Sequence, residues 1–431
     1  KTKMNLTKQF FKYVSQNILG MIGFSCYVLA DSYFISIAKG ADGLTALNLV
    51  MPLYSIIFSI GEMIGVGSAI RYAISKIKKD ADADDYFWNA LIWCILSSML
   101  FVFAGIFFSA DIMRVLGADE HIVAVGNNYT KIFMCFAPMF MCNYVTNAFV
   151  RNDGAPGIAM SATLFSSLFN IVFDYILMFP MNLGMEGAAL ATALSPIIGM
   201  GICSIHFFSK KSSVRLVVCK PSVRKLVAGC QLGVSAFVGE MSSAVITLAF
   251  NFVILKLAGN VGVAAYGVVA NIAIVTTAVF NGVAQGSQPL ISSCFGRGDK
   301  DGCTQLKRMG YTTAFVLAAV MYSILFIFAG QFVAVFNSEG SEMLRLYATE
   351  GVKLYFIGIF FAGINIVGGG AFSATEDAFK AAVVSVARGF VLILGAVFVM
   401  SALFGMTGVW LAYAVAEGIT TFIMLVMVLR V

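Results

Sequence analysis

A chain of 431 residues with 60% hydrophobic residues, 12% charged residues and a mean hydropathy of +0.90 cannot cover its apolar surface with polar groups. That excludes a water-soluble globular protein and places the chain in a membrane. The net charge of +6 lies in short Lys and Arg clusters between apolar runs, which argues against a nucleic-acid binder, and nine scattered Cys without a C-x-x-C pair argue against a disulfide framework or a thiolate metal centre.

Apolar stretches long enough for about 30 Å of hydrocarbon recur along the chain. They fall near residues 13 to 38, 44 to 74, 86 to 109, 122 to 149, 157 to 180, 186 to 208, 226 to 256, 263 to 294, 306 to 332, 345 to 372, 380 to 404 and 407 to 429. The first lacks a small-residue cleavage site and is expected to stay as a span. Lys1, Lys3, Lys8 and Lys12, the loop with Lys76, Lys78 and Lys79, the stretch from Lys210 to Lys225, and Arg297, Lys300, Lys307 and Arg308 all fall on one side. The other side has little beyond Lys39, Arg114, Lys256 and Arg345. The positive-inside rule then predicts a multi-pass protein of the cytoplasmic (inner) membrane with both termini cytoplasmic.

The longest basic connection divides the chain into residues 1–208, a linker 209–225, and residues 226–431. The two parts repeat each other. Gly184-Met185-Glu186-Gly187 returns as Gly405-Met406-Thr407-Gly408, while Gly40, Gly43, Ala46 and Gly67-Ser68 return as Gly259, Gly262, Ala265 and Gly286-Ser287. Six spans in each part, both starting inside, predict an all-α integral membrane protein of 12 transmembrane helices in two pseudo-symmetric six-helix lobes. A cavity between such lobes is where a transporter works.

Asp31 and Asp174 stand inside the first and fifth spans, where an ionisable group costs at least about 2.5 to 3.5 kcal/mol on insertion scales and is functional by default. Each lies outward of its span's middle, at a level shared by Thr192 of the sixth span, and Asn170 lies one turn from Asp174 on the same helical face. Two carboxylates with an amide and a hydroxyl suit one proton or one small hard cation such as Na+, and the residues do not choose between them. The repeat places Phe250, Val397 and Tyr413 at the positions of Asp31, Asp174 and Thr192, so this set belongs to the first lobe alone. Glu240 in the seventh span is a candidate partner for a cationic substrate or coupling ion. Glu62 is a weaker one, because its Gly61-Glu62-Met63-Ile64-Gly65 setting also serves close helix packing. Arg388, Lys131 and Lys353 lie near span ends and are read as snorkelling to the interface. His121 and His206 also lie near span ends.

Ala30-Asp31-Ser32-Tyr33-Phe34-Ile35, the segment Asn170 to Asp174, Gly187 to Ser195 and the six-plus-six repeat resemble the multidrug and toxic compound extrusion (MATE) family, in its DinF and MepA-like branch of the MOP flippase superfamily. The resemblance covers essentially the whole chain. It implies a proton or Na+ site at Asp31, Asn170, Asp174 and Thr192, drug-facing positions at Tyr27, Asn143, Asn147 and Ser167, and a likeness of Glu240 to the seventh-span acid of other branches. It breaks in the tenth span, which offers Asn365 but no acid for a second Na+ site.

The expected activity is alternating-access efflux of organic cations and amphipathic drugs in exchange for H+ or Na+. A lipid-linked oligosaccharide flippase of the same superfamily would be expected to line its cavity with Arg or Lys, whereas the intramembrane charges here are mainly acidic. A membrane enzyme would need a His or Cys cluster or an interfacial motif that is not found. No cofactor is expected beyond the coupling ion; the expected partners are small-molecule drugs and the lipid bilayer, with the chain a monomer.

Overall fold

A computed structural model describes residues 2–337 and 340–429, and its secondary structure is helical throughout, with no strand among the described residues. The apolar helices are Leu6–Gly40, Thr45–Lys78, Asp85–Val115, the bent pair Glu120–Cys135 and Ala137–Asn152, Pro156–Met178, Met185–Phe207, Val223–Gly296, Lys300–Ile327, Glu342–Ala374 and Ala378–Val428. Val223–Gly296 holds 74 residues, which at about 1.5 Å per residue is far longer than a bilayer is thick. Its backbone leaves the helix at Gly259 (φ 64°, ψ −155°), and Ala378–Val428 breaks in the same way at Gly405 (φ 61°, ψ −137°). Divided at these breaks, with the bent pair counted once, the described helices make twelve crossings, referred to below by ordinal.

The breaks explain the glycine repeat seen in the sequence. Gly40 and Gly259 share one conformation (φ 58° and 64°), and Gly184 (φ 55°, ψ −131°) before the sixth span matches Gly405 before the twelfth. That region of φ and ψ is open to glycine almost alone. The fourth span bends by 46° where Phe136 gives way to Ala137 and Pro138. Proline is tolerated in the first turn of the new helix because it has no N–H to lose there.

Buried apolar side chains form two main clusters. One gathers residues from Ile35 to Val214 together with Leu232, and the other gathers residues from Phe250 to Ala416 together with Phe10 and Val14. The first and seventh spans thus each lend side chains to the other half's core. The halves meet backbone-close, second span against seventh and eighth against first: a Cβ on Gly67 would overlap the Gly229 carbonyl, and one on Gly286 would stand 2.7 Å from Val14 Cα. Hydrogen bonds tie the halves together at this same end, which carries the basic connections. Arg71 donates to the Ala228 carbonyl at 2.9 Å and pairs with Glu376 at 2.7 Å, and Arg151 donates to Gln285 at 2.7 Å.

Phe208 to Ser222 run without helix and are moored on Asp153. Its carboxylate accepts from the Ser213 amide at 2.9 Å and from the Ser213 hydroxyl, and it meets the buried His206 ring at 2.7 Å. Asp153→Ala leaves these donors short of a partner, at a cost of about 1–3 kcal/mol. Trypsin should then cut faster at Lys210, Lys211 and Arg215; an unchanged cleavage rate would show that other contacts hold the linker.

Candidate functional site

The first, fifth and sixth spans pack side by side. Gly187 permits this at the turn between the last two, where an added Cβ would stand 2.8 Å from the Leu177 carbonyl carbon. Four polar side chains are buried where they meet: Asp31 (7% exposed), Asn170 (0%), Asp174 (0%) and Thr192 (2%). Asn170 Nδ2 donates to Thr192 Oγ1 at 3.1 Å, and the carboxyls of Asp31 and Asp174 face each other within hydrogen-bonding reach. As two carboxylates they have no proton to share. Asp31 Oδ1, both Asp174 oxygens and Asn170 Oδ1 are then buried without a donor. Buried acceptors are almost always partnered, so neighbouring orphaned oxygens of this kind describe a place for a proton or a small hard cation.

Beside this cluster lies a cavity with about 1000 Å³ of empty space, part of it open to solvent. Tyr27, Glu62, Asn143, Asn147, Ser167 and Glu240 all line it. The structure therefore brings the six sequence-predicted substrate positions to one wall system, while Asp31, Asn170, Asp174 and Thr192, the sequence-predicted ion-site residues, lie outside its lining. Tyr27 of the cavity lining lies in the electrostatic neighbourhood of both Asp31 and Glu240. Phe24, Phe58, Phe140 and Tyr144 add aromatic surface, which attracts flat or cationic molecules. Glu62 lines the cavity while its flanking glycines pack: Cβ atoms on Gly61 and Gly65 would stand 2.9 Å from Met141 Cα and 3.0 Å from the Tyr144 carbonyl.

The sequence is matched by the MatE family profile over residues 17–176 and 236–399, two stretches that follow the internal repeat. The chain belongs to the MatE family. Among curated relatives, the Multidrug export protein MepA of Staphylococcus saprophyticus is 26% identical over 424 residues, covering 97% of this chain and 92% of its own length. The MepA of Staphylococcus aureus (strain MRSA252) is 27% identical over 405 residues, covering 91% of this chain and 87% of its own length. Two solved structures share the fold at 20% identity. One is a multidrug resistance MATE family transporter of the MOP superfamily in an outward-facing conformation, with a TM-score of 0.89 and coverage of 99% of this chain and 96% of that one. The other is a MOP superfamily transporter from Pyrococcus furiosus, with a TM-score of 0.90 and coverage of 98% and 95%.

Several polar groups of this MatE family member escaped the reading of its sequence. Arg151 lines the cavity at 5% exposure, donating to Gln285 at 2.7 Å and to Asn17 and Asn147 at 3.4 Å, with Gln285 donating on to Glu62 at 3.2 Å. The Tyr54 and Tyr129 hydroxyls bond to each other near Asp31. A tyrosine inside an apolar span is the available signal, because a buried hydroxyl needs a partner. Arg388 was expected to snorkel; its side chain is instead 14% exposed and pairs with Glu417 of the twelfth span at 2.6 Å. A guanidinium with a bidentate acid beside it has no need to reach the interface.

Proposed function

We propose that this chain is a secondary antiporter that exports amphipathic organic cations across a bacterial cytoplasmic membrane in exchange for H+ or Na+, with both termini cytoplasmic. The observation that carries the reading is the pair Asp31 and Asp174, buried face to face with acceptors that lack donors. The export activity printed for the MepA relatives and the acidic, aromatic cavity support a drug as the other cargo. The two halves act as lobes that rock about the residue 209–225 linker. Close packing at Gly67, Gly229, Gly233 and Gly286, at the end that carries the basic connections, supports reading this conformation as outward-facing.

Transport follows from linkage. A cation arriving from outside neutralises Asp31 and Asp174, removing the cost of holding two like charges together in low dielectric. The first span, which carries Asp31 and Tyr27, is then free to repack, and the drug held near Tyr27 and Glu240 leaves outward. Exchange requires that ion and drug favour different states or compete for one set of contacts. The test is to add drug to purified protein in weak buffer and measure H+ and Na+ release. Release of about one cation per drug bound is expected; drug binding without release of either ion would defeat the antiport reading.

Glu240 has no ion pair among the described residues, so it is available to a cationic substrate. Glu240→Gln should weaken binding of ethidium roughly tenfold, about 1.4 kcal/mol, while sparing a neutral dye. Equal loss for both dyes would point to a disturbed cavity rather than a lost charge. The flippase alternative needs several cations for pyrophosphate, and this lining offers Arg151 against Glu62 and Glu240.

A further inference from the structure

The C-terminal half holds a buried polar cluster that the efflux mechanism does not use. Glu417 of the twelfth span, 3% exposed, receives Arg388 Nη2 at 2.6 Å on Oε1 and Arg388 Nε at 3.2 Å on Oε2. Asn365 of the tenth span donates to Glu417 Oε2 at 2.7 Å and to the Glu417 carbonyl at 2.9 Å. Thr421, one turn further along, donates to Asn365 Oδ1 at 3.0 Å. Arg388 stands in a π-helical turn, Ala387–Val391, of the eleventh span. One extra residue in a turn re-aims the side chains around it, and such turns are frequent at functional sites.

The kinds of group match those of the first half. There, Asn170 and Thr192 meet the acids Asp31 and Asp174; here, Asn365 and Thr421 meet the acid Glu417. The places differ: the first set draws on the first, fifth and sixth spans, whereas Asn365, Glu417 and Thr421 draw on the tenth and twelfth. Of these only the sixth and twelfth are counterparts in the repeat, with Tyr413 at the position of Thr192 one helical turn before Glu417. The partner differs too. The oxygens of Asp31, Asp174 and Asn170 lack donors, whereas no oxygen of Glu417, Asn365 or Thr421 is a buried orphan among the described residues. The positive charge that the first set awaits is supplied to the second by Arg388.

We propose that Asn365, Glu417 and Thr421 form a second monovalent-cation site, which Arg388 fills permanently with its own guanidinium. The tethered charge cannot leave, so the C-terminal half takes up no ion and coupling is confined to Asp31 and Asp174. The binding claim stands on this cluster alone; its consequence for coupling rests on the function proposed above. A pair that merely glues the spans together would lose stability when broken but would create no place for a free cation.

The two cases separate by chemical rescue. The parent is the full chain carrying Asp31→Asn and Asp174→Asn, which silences the first site, so failure here leaves the antiport reading untouched. Arg388→Ala in that parent is purified and its melting temperature followed against millimolar guanidinium, with urea and choline as the neutral and bulky-cation controls. The expected result is a saturable rise of about 2–4 °C with guanidinium only. It should be absent from the parent and lost again when Glu417→Gln is added. No saturable rise, or an equal rise without Glu417, overturns the proposal. If Arg388→Ala can be purified only when guanidinium is present, that dependence supports the site. If it cannot be purified at all while Arg388→Ala with Glu417→Gln can, the pair is structural and the proposal fails.

Discussion

Asp31→Asn and Asp174→Asn are each expected to lower drug efflux roughly 100-fold, equivalent to about 2.7 kcal/mol, with the chain still folded and inserted. Asparagine keeps the size and most of the hydrogen bonding of aspartate but cannot carry the charge that a coupling cation neutralises. The variant can still bind drug in the cavity, because neither residue lines it. It loses the energy source for moving drug uphill. Stability should hold or rise, since a buried charge without a donor is costly and its removal relieves that cost. Dye accumulation in cells measures the first part, and the melting temperature and elution profile of purified protein measure the second. Normal efflux by either variant would remove the acid pair from the mechanism.

The second large effect is expected from adding bulk where the halves touch. Gly67→Val and Gly286→Val put side chains into the carbonyl of Gly229 and the backbone of Val14, with no flexible neighbour able to yield. Overpacking of this kind costs about 1–3 kcal/mol, and every 1.4 kcal/mol is tenfold in a two-state population. The cost falls only on the state closed at this end, so the variants should shift toward the opposite state rather than unfold. Spin labels at Lys12 and Lys300 should move apart, and efflux should fall with the loss of the outward-facing form. Unchanged label distances together with full efflux would mean that these glycines do not govern closure.

Much of this was legible in the sequence because the membrane imposes simple rules. Twelve apolar runs had to be helices, since hydrocarbon offers no partner for an open backbone. The repeated glycines at 40, 184, 259 and 405 were visible as a pattern, and their reason, a backbone conformation closed to other residues, became clear only with the angles. Asp31 and Asp174 stood out because an acid in an apolar run announces itself, and helical spacing and depth added Asn170 and Thr192; the structure buries all four together. Of the cavity positions, Tyr27, Asn143, Asn147 and Ser167 came from family resemblance and Glu62 and Glu240 from being acids inside spans, and all six line one space. Partnerships across distant segments were not legible. Arg71 with Glu376, Arg151 with Gln285, and Arg388 with Glu417 join different spans or their connecting turns, and nothing in local composition says that such groups meet. The bend of the fourth span was also missed, although Pro138 marked it.

The most direct measurement is drug flux in proteoliposomes, with pH and Na+ gradients imposed separately and the Asp31→Asn protein run beside the unaltered chain. One of the two gradients should drive drug accumulation by the unaltered chain, and neither should drive it in the variant. Accumulation that ignores both gradients, or that persists equally in Asp31→Asn, would contradict ion-coupled antiport at Asp31 and Asp174.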